Sequence, residues 1–203
     1  GLALPNVELI EDDLRAVASG LGDFDYIVAH GFYSWVPADV RDALFALARE
    51  RLAPNGLVCV SYNVLPGCFV RRIGWDAIRL EVAGAATARE RLDGARRIRR
   101  DLAEAWTAAG GAAAHLAKEY VETADRTDSA LYHDDMSGVN DPVYFTAFVR
   151  HAASHGLAYV SEAELGTMGV GRMAEGLMGI IASADPIARE QYHDFARVRR
   201  FRQ

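Results

Sequence analysis

The chain has 203 residues, 51% hydrophobic and 25% charged, with a formal net charge of −6. That composition belongs to an ordinary globular protein able to bury its own core. It argues against a globally basic nucleic-acid binder, and two cysteines, Cys59 and Cys68, are too few for a disulfide framework and suit a reducing cytoplasm.

No run reaches the roughly 18 apolar residues of a membrane span. The sequence opens at Gly1 rather than methionine, which reads as a piece of a longer protein. Asn6–Ile10 reads as a short strand. Glu11-Asp12-Asp13 follows, and two readings stand. The acids cap a short helix starting near Leu14, or one of them accepts hydrogen bonds from a ligand amine at a sheet edge. Ser19 to Asp23 is a loop by composition.

Tyr26–Ala29 is a continuous apolar run, the pattern of a buried parallel strand. His30-Gly31 breaks it, and Phe32, Tyr33 and Trp35 follow. In open α/β sheets the ligand lies outside the carboxyl ends of the strands, so His30, Gly31, Tyr33 and Trp35 are candidate site residues. The competing reading makes Phe32, Tyr33 and Trp35 core anchors, and pattern alone favours it. A helix runs from Pro37 or Ala38 to about Leu52, with Val40, Leu44, Leu47 and Ala48 on one face. Pro54-Asn55-Gly56 is a tight turn, and Leu57–Tyr62 a second buried strand. Strand, helix and strand form a βαβ unit with parallel strands. Asn63 to Gly67 then leaves the carboxyl end of the second strand as a loop, which puts Asn63 on the same edge as His30; a plain turn-capping role competes.

From Arg71 to about Ala109 the chain is rich in alanine and arginine and predicts two helices divided near Gly84. Between Arg71 and Arg100, nine arginines face four acids, an excess of five positive charges. A solvated, ion-paired helix face is the first reading, and a docking surface for an acidic partner the second. After Gly110-Gly111 a helix fits Ala112 to Ala124. Asp141-Pro142 signals an N-cap with a first-turn proline, and Gly156 ends that helix. Leu157–Val160 is extended. Ser161-Glu162-Ala163-Glu164 reads as a capping box opening a short helix. Asp185-Pro186 opens a last helix to about Arg200, with cations at its carboxyl end. Composition shifts from α/β to helical between Gly67 and Gly111, giving units 1–83 and 84–203.

Short motifs add little. Gly169 to Ala174 matches G-x-G-x-x-A, but a dinucleotide loop must follow a strand, and a helical segment precedes it here. His151 and His155 lie four apart without an H-E-x-x-H pattern, so they read as helix surface and helix end. His133-Asp134-Asp135 reads as a capped turn before a cation site. No metal is expected.

Long signatures in series carry more. NVELIEDDL, FDYIVAHGFYSWVPADVRDAL and RERLAPNGLVCVSYNVLPG resemble the later part of a class I S-adenosylmethionine-dependent methyltransferase domain. LYHDDMSGVNDPVYFTAFVRHAASHGLAYVSEAEL and EQYHDFARVRRFRQ are similar to the methyltransferase regulatory domain that follows it in one bacterial family. The resemblance implies an α/β fold: the C-terminal part of a Rossmann-like methyltransferase sheet, then a mainly helical regulatory domain. It implies S-adenosylmethionine as cofactor, with the glycine-rich loop and the ribose-binding acid lying upstream of Gly1. By position, Asp13, or its neighbour Asp12, matches the acid that contacts the adenine amino group. His30 and Gly31 match positions facing the donor; Tyr33, Trp35 and Asn63 would line the methyl-transfer edge. Displacement at a sulfonium needs alignment more than acid–base power. His30 and Tyr33 are weak catalytic candidates; of the two, histidine is the side chain that titrates near neutrality. The acceptor is unidentified, and the alternative is a non-catalytic regulatory or protein-binding module unable to hold the cofactor alone.

Overall fold

The computed structural model describes residues 4–17, 20–122, 126–168 and 175–203. In chain order the elements are β1 (Phe24–Ala29), a 3-10 turn (Tyr33–Trp35), α1 (Ala38–Arg51), β2 (Leu52–Val60), β3 (Tyr62–Leu65), α2 (Cys68–Glu81), α3 (Ala88–Ala109) and α4 (Gly111–Glu122). One-turn α5 (Asp128–Ala130) runs into a π-turn (Leu131–Asp135). Then come β4 (Val143–Tyr144), α6 (Phe145–Ser154), a 3-10 turn (Leu165–Met168), α7 (Glu175–Ser183), α8 (Pro186–Arg197) and β5 (Phe201–Arg202).

The βαβ unit is present. β1 and β2 pair in parallel, Tyr26 against Leu57 through Ala29 against Val60. The Pro54-Asn55-Gly56 turn is absorbed into the start of β2 as a register shift, with Asn55 left-handed. Both faces of β1 are not buried, contrary to the pattern: Tyr26 is 72% and Val28 68% exposed. Two strands cover only one side of each other, and α1 fills that side with Leu44, Phe45 and Ala48.

Six expectations are corrected. Asn6–Ile10 is not a strand, and Leu14–Val17 forms turns rather than a helix. Among the described residues no strand takes up the backbone of residues 6–10, and Leu9 is 91% exposed. Asn63 to Leu65 is not a loop but part of β3, which sits between β4, in parallel, and β5, antiparallel. Pairing by Val143 and Tyr144 delays the next helix, so α6 starts at Phe145 and Asp141 does not cap it. Ser161 to Glu164 do not open a helix as a capping box, and the Glu162 carboxylate between them meets Arg202. The last helix ends at Arg197 because Val198 turns left-handed.

The sheet β4-β3-β5 joins the early and late parts of the chain. Gly67 makes this possible. A Cβ there would lie 2.3 Å from the carbonyl oxygens of Val198 and Arg199, so only glycine lets that backbone close on β3. A first core gathers Tyr33, Phe45, Tyr62 and Val64 with Phe148 packed on it. A second packs Ile78, Val82, Ala95, Leu131 and Met136. Asp135 is buried beside the second core, where Trp75, Arg99 and Arg126 all donate to its carboxylate.

The arginine-rich stretch is two amphipathic helices separated at Gly84, as the spacing predicts. Eight of its nine arginines pair with Asp76, Glu81, Asp93, Asp101, Glu119, Asp128 or Asp135, the ion-paired reading. Among the described residues, no helix is long and apolar enough to cross a membrane.

Candidate functional site

The carboxyl ends of β1 and β2 are stitched together. Ser61 follows β2, and its N–H donates to the Ala29 carbonyl at 3.1 Å. Its Oγ accepts from the Gly31 N–H at 2.7 Å. Gly31 has φ +63°, a left-handed turn that glycine adopts without a Cβ penalty. This bend presents His30 at the exposed strand end, edge-on to Phe201 at 6.1 Å.

One turn later the chain dives inward. Ser34 is buried; its Oγ accepts from the Asn63 N–H at 2.8 Å, and its carbonyl accepts from the Asp141 N–H at 2.9 Å. Asn63 Nδ2 donates to Asn140 Oδ1 at 3.1 Å. Asn140 Nδ2 is buried with no acceptor, an unused donor beside the strand end. Arg41 closes the seam from α1, donating to Asp141 Oδ2 at 2.8 Å and lying 5.2 Å from the Tyr33 ring centroid.

The expected residues therefore separate into groups. His30 and Gly31 stand at the exposed strand end. Trp35 is half-buried in the turn. Tyr33 is 3% exposed, packed against Phe45, Tyr62 and Phe148. Its hydroxyl lies 2.8 Å from His151 Nδ1, and burial pushes the phenol up to about 12. It stays protonated at neutral pH, so it is a core anchor and not a base. Asn63 is buried in the β3 seam rather than lining an open edge.

Asp12 and Asp13 are exposed, and Asp12 Oδ1 accepts the Asp13 N–H. Hydrogen bonds from Arg15 hold the Asp13 carboxyl at about 2, below its ordinary range. Arg15 also reaches Asp39 at the start of α1. Here the acids accept hydrogen bonds within a turn, and the helix they were expected to cap does not form.

Sequence spacing missed Ser34, Ser61 and Asn140; only their neighbourhood in the chain pointed toward the strand ends. It also missed Asp42, which turns His151 and His155 from surface residues into half-buried ones facing a carboxylate. Asp134 and Asp135 pair with Arg126. Residues 169–174, with the glycine pattern, lie outside the described residues.

A separate cleft of about 740 Å³ runs between the β1–β2 sheet and the segment after α6. Tyr26, Val28, Leu57, Tyr159 and Glu162 are among its walls; His30 and Gly31 are not.

Residues 127–203 match the family model of a predicted methyltransferase regulatory domain. The structure is similar to that of PKMT2 from Rickettsia typhi in complex with AdoHcy, with a TM-score of 0.86 and 29% identity, covering 98% of this chain and 38% of that one. In sequence, the chain is 32% identical over 203 residues to the uncharacterized protein RP789 of Rickettsia prowazekii, covering 99% of this chain and 37% of that protein. A second protein of that organism, RP028, is 26% identical over 150 residues, covering 73% of this chain and 60% of that protein. The chain thus spans little more than a third of RP789 and of PKMT2. Over residues 127–203 it carries the methyltransferase regulatory domain that its motifs resemble, and along nearly its whole length it shares the fold of PKMT2.

Proposed function

We propose that this chain supplies the second part of the donor-binding sheet and the helical regulatory domain of an S-adenosylmethionine-dependent methyltransferase. One observation carries the reading: the fold agrees over 98% of the chain with PKMT2, whose structure holds AdoHcy. The uncovered apolar face of β1, with Tyr26 and Val28, supports it, because a fuller Rossmann-like sheet would bury that face. Free thiols at Cys59 and Cys68 fit a cytoplasmic enzyme.

His30 and Gly31 stand where the donor would lie, with Trp35 behind them. Asp12 and Asp13 remain the adenine-facing acids of this reading, provided Arg15 yields Asp13 to the ligand. Methyl transfer is displacement at a sulfonium carbon. The protein's contribution is to hold acceptor and methyl group in line, and the stitched strand ends give a rigid edge for that. The attacking atom of the acceptor must give up its proton, and His30 is the exposed histidine at this edge placed to take it.

A second reading, a regulatory module without activity of its own, is favoured by the family match being confined to residues 127–203. Calorimetric titration of S-adenosylhomocysteine separates them, using this chain and a version extended upstream. Saturable binding to the longer protein alone supports methyl transfer with a shared donor site. Binding to neither moves the function to the regulatory module. Binding to the 203 residues themselves would place a sufficient donor site within them.

A further inference from the structure

Two histidines of α6 and one carboxylate of α1 form a donor cluster that methyl transfer does not use. His151 and His155 are four residues apart, so the helix stacks them on one face, with ring centroids 5.3 Å apart. Asp42 meets them from α1. Its Oδ1 lies 2.7 Å from His151 Nε2 and 3.7 Å from His155 Nε2. One donor atom from each residue falls within 4.8 Å of the others. We propose that Asp42, His151 and His155 bind a divalent transition-metal ion, zinc being the ion this donor set suits best.

The chemistry is that of two imidazoles and a carboxylate, which zinc takes at about 2.0–2.2 Å in a tetrahedral arrangement. Such bonds set neighbouring ligand atoms roughly 3.3–3.6 Å apart. The two measured separations fall on either side of that. The Asp42 side chain is 62% exposed and has room to adjust. Its exposure also leaves the fourth position open to water. The histidine side chains are only 22% and 23% exposed. Phe45 supports both, its ring centroid 4.8 Å from His151 and 6.0 Å from His155.

The far side of His151 is prepared as well. With a metal on Nε2, the ring proton resides on Nδ1 and donates to the Tyr33 hydroxyl, 2.8 Å away. Metal-bound histidines usually have such an outer partner to fix the ring, and Tyr33 is buried and immobile in the core. A simple imidazole–carboxylate pair accounts for His151 and Asp42. It does not call for His155 to face the same oxygen. Because α6 belongs to residues 127–203 and α1 to the βαβ unit, the ion would clasp the regulatory domain to the α/β part. This inference stands without the methyl-transfer reading.

The test is calorimetric titration of chelator-stripped protein with zinc chloride, repeated with cobalt(II) and read by visible absorption. One equivalent is expected to bind, with cobalt bands of a four- or five-coordinate site and a melting temperature that rises with zinc. Asp42→Ala and His155→Ala remove exposed or half-exposed groups and keep the fold; each should weaken binding by at least the 10–100-fold or so that loss of an outer partner costs. Tyr33→Phe should weaken zinc about tenfold, whereas a purely structural role would lower the melting temperature and leave zinc affinity alone. No saturable binding at one equivalent, or equal affinity in Asp42→Ala and His155→Ala, overturns the proposal.

Discussion

Two clusters that hold the late part of the chain in place work by opposite physics. Under Tyr33 the fastening is aromatic: Phe148 stacks on Tyr62 at 4.0 Å between centroids and meets Tyr33 at 5.1 Å and Phe45 at 5.6 Å. At the end of the chain the cluster is ionic, and its members all belong to the late part. Arg202 is buried, and its guanidinium meets Asp194, Glu162 and Glu190 while lying 4.1 Å over the Phe145 ring. Its backbone pairs with Tyr62 in β3. Rings tolerate small errors of position, since their attraction is spread over many contacts. A buried guanidinium does not: each acid left without it is a desolvated charge.

The sharpest way to break the comparison is Arg202→Met. It leaves Asp194, Glu162 and Glu190 buried, with Arg199 as the remaining nearby cation. Loss of one partner from a buried pair costs about 3–5 kcal/mol, and three acids place this variant at the upper end. Burial already holds the Asp194 carboxyl above its ordinary value although Arg202 pulls it down; without Arg202 it is pushed further up. The folded variant then binds more protons than the unfolded chain, so its stability falls as pH rises through the carboxylate range. Urea unfolding at pH 5 and pH 8 or so should show the larger deficit at the higher pH. An equal deficit at both would mean the acids are not the source of the cost.

Phe45→Ala tests the aromatic fastening. Phe45 is 1% exposed, and deleting a buried phenylalanine costs about 3 kcal/mol or somewhat more. Urea unfolding at pH 8 or so should show that loss although no buried carboxylate is left without its partner. A deficit under about 1 kcal/mol would mean that the neighbouring rings close over the gap.

The same contrast explains what could be read in advance. Aromatic anchors announce themselves locally: Phe32, Tyr33 and Trp35 follow an apolar run, and Phe45 and Phe148 sit on helix faces. The competing core reading of Tyr33 needed nothing beyond that spacing. The ionic cluster gave no such signal. Arg199 looks like a cation at a helix end, and Glu162 falls between Ser161 and Glu164, the two ends of the expected capping box. The partners within this cluster lie up to 40 positions apart, as Arg202 and Glu162 do. Strand β3 was hidden for a related reason. Its pairing partners, Val143–Tyr144 and Phe201–Arg202, are two-residue strands with no pattern of their own. At the candidate site, His30 and Gly31 were legible because a polar break after an apolar run marks a strand end. Ser61 and Asn140 were not, because a lone serine or asparagine has many uses.

The smallest predicted effect falls at that strand end. Gly31 has φ +63°, and a Cβ built there meets nothing within 4 Å. Gly31→Ala therefore carries only the backbone cost of a left-handed residue, about 1 kcal/mol. Gly31→Asn should cost less, since asparagine visits that region more readily. Equal losses for the two in urea unfolding would mean the turn is held by something other than backbone preference, the Ser61 hydrogen bond first among candidates. The pair also separates conformation from ligand space. If His30 and Gly31 face the donor, alanine and asparagine fill room the ligand needs. S-adenosylhomocysteine affinity in the upstream-extended protein should then fall more for asparagine than for alanine, the reverse of the order in stability.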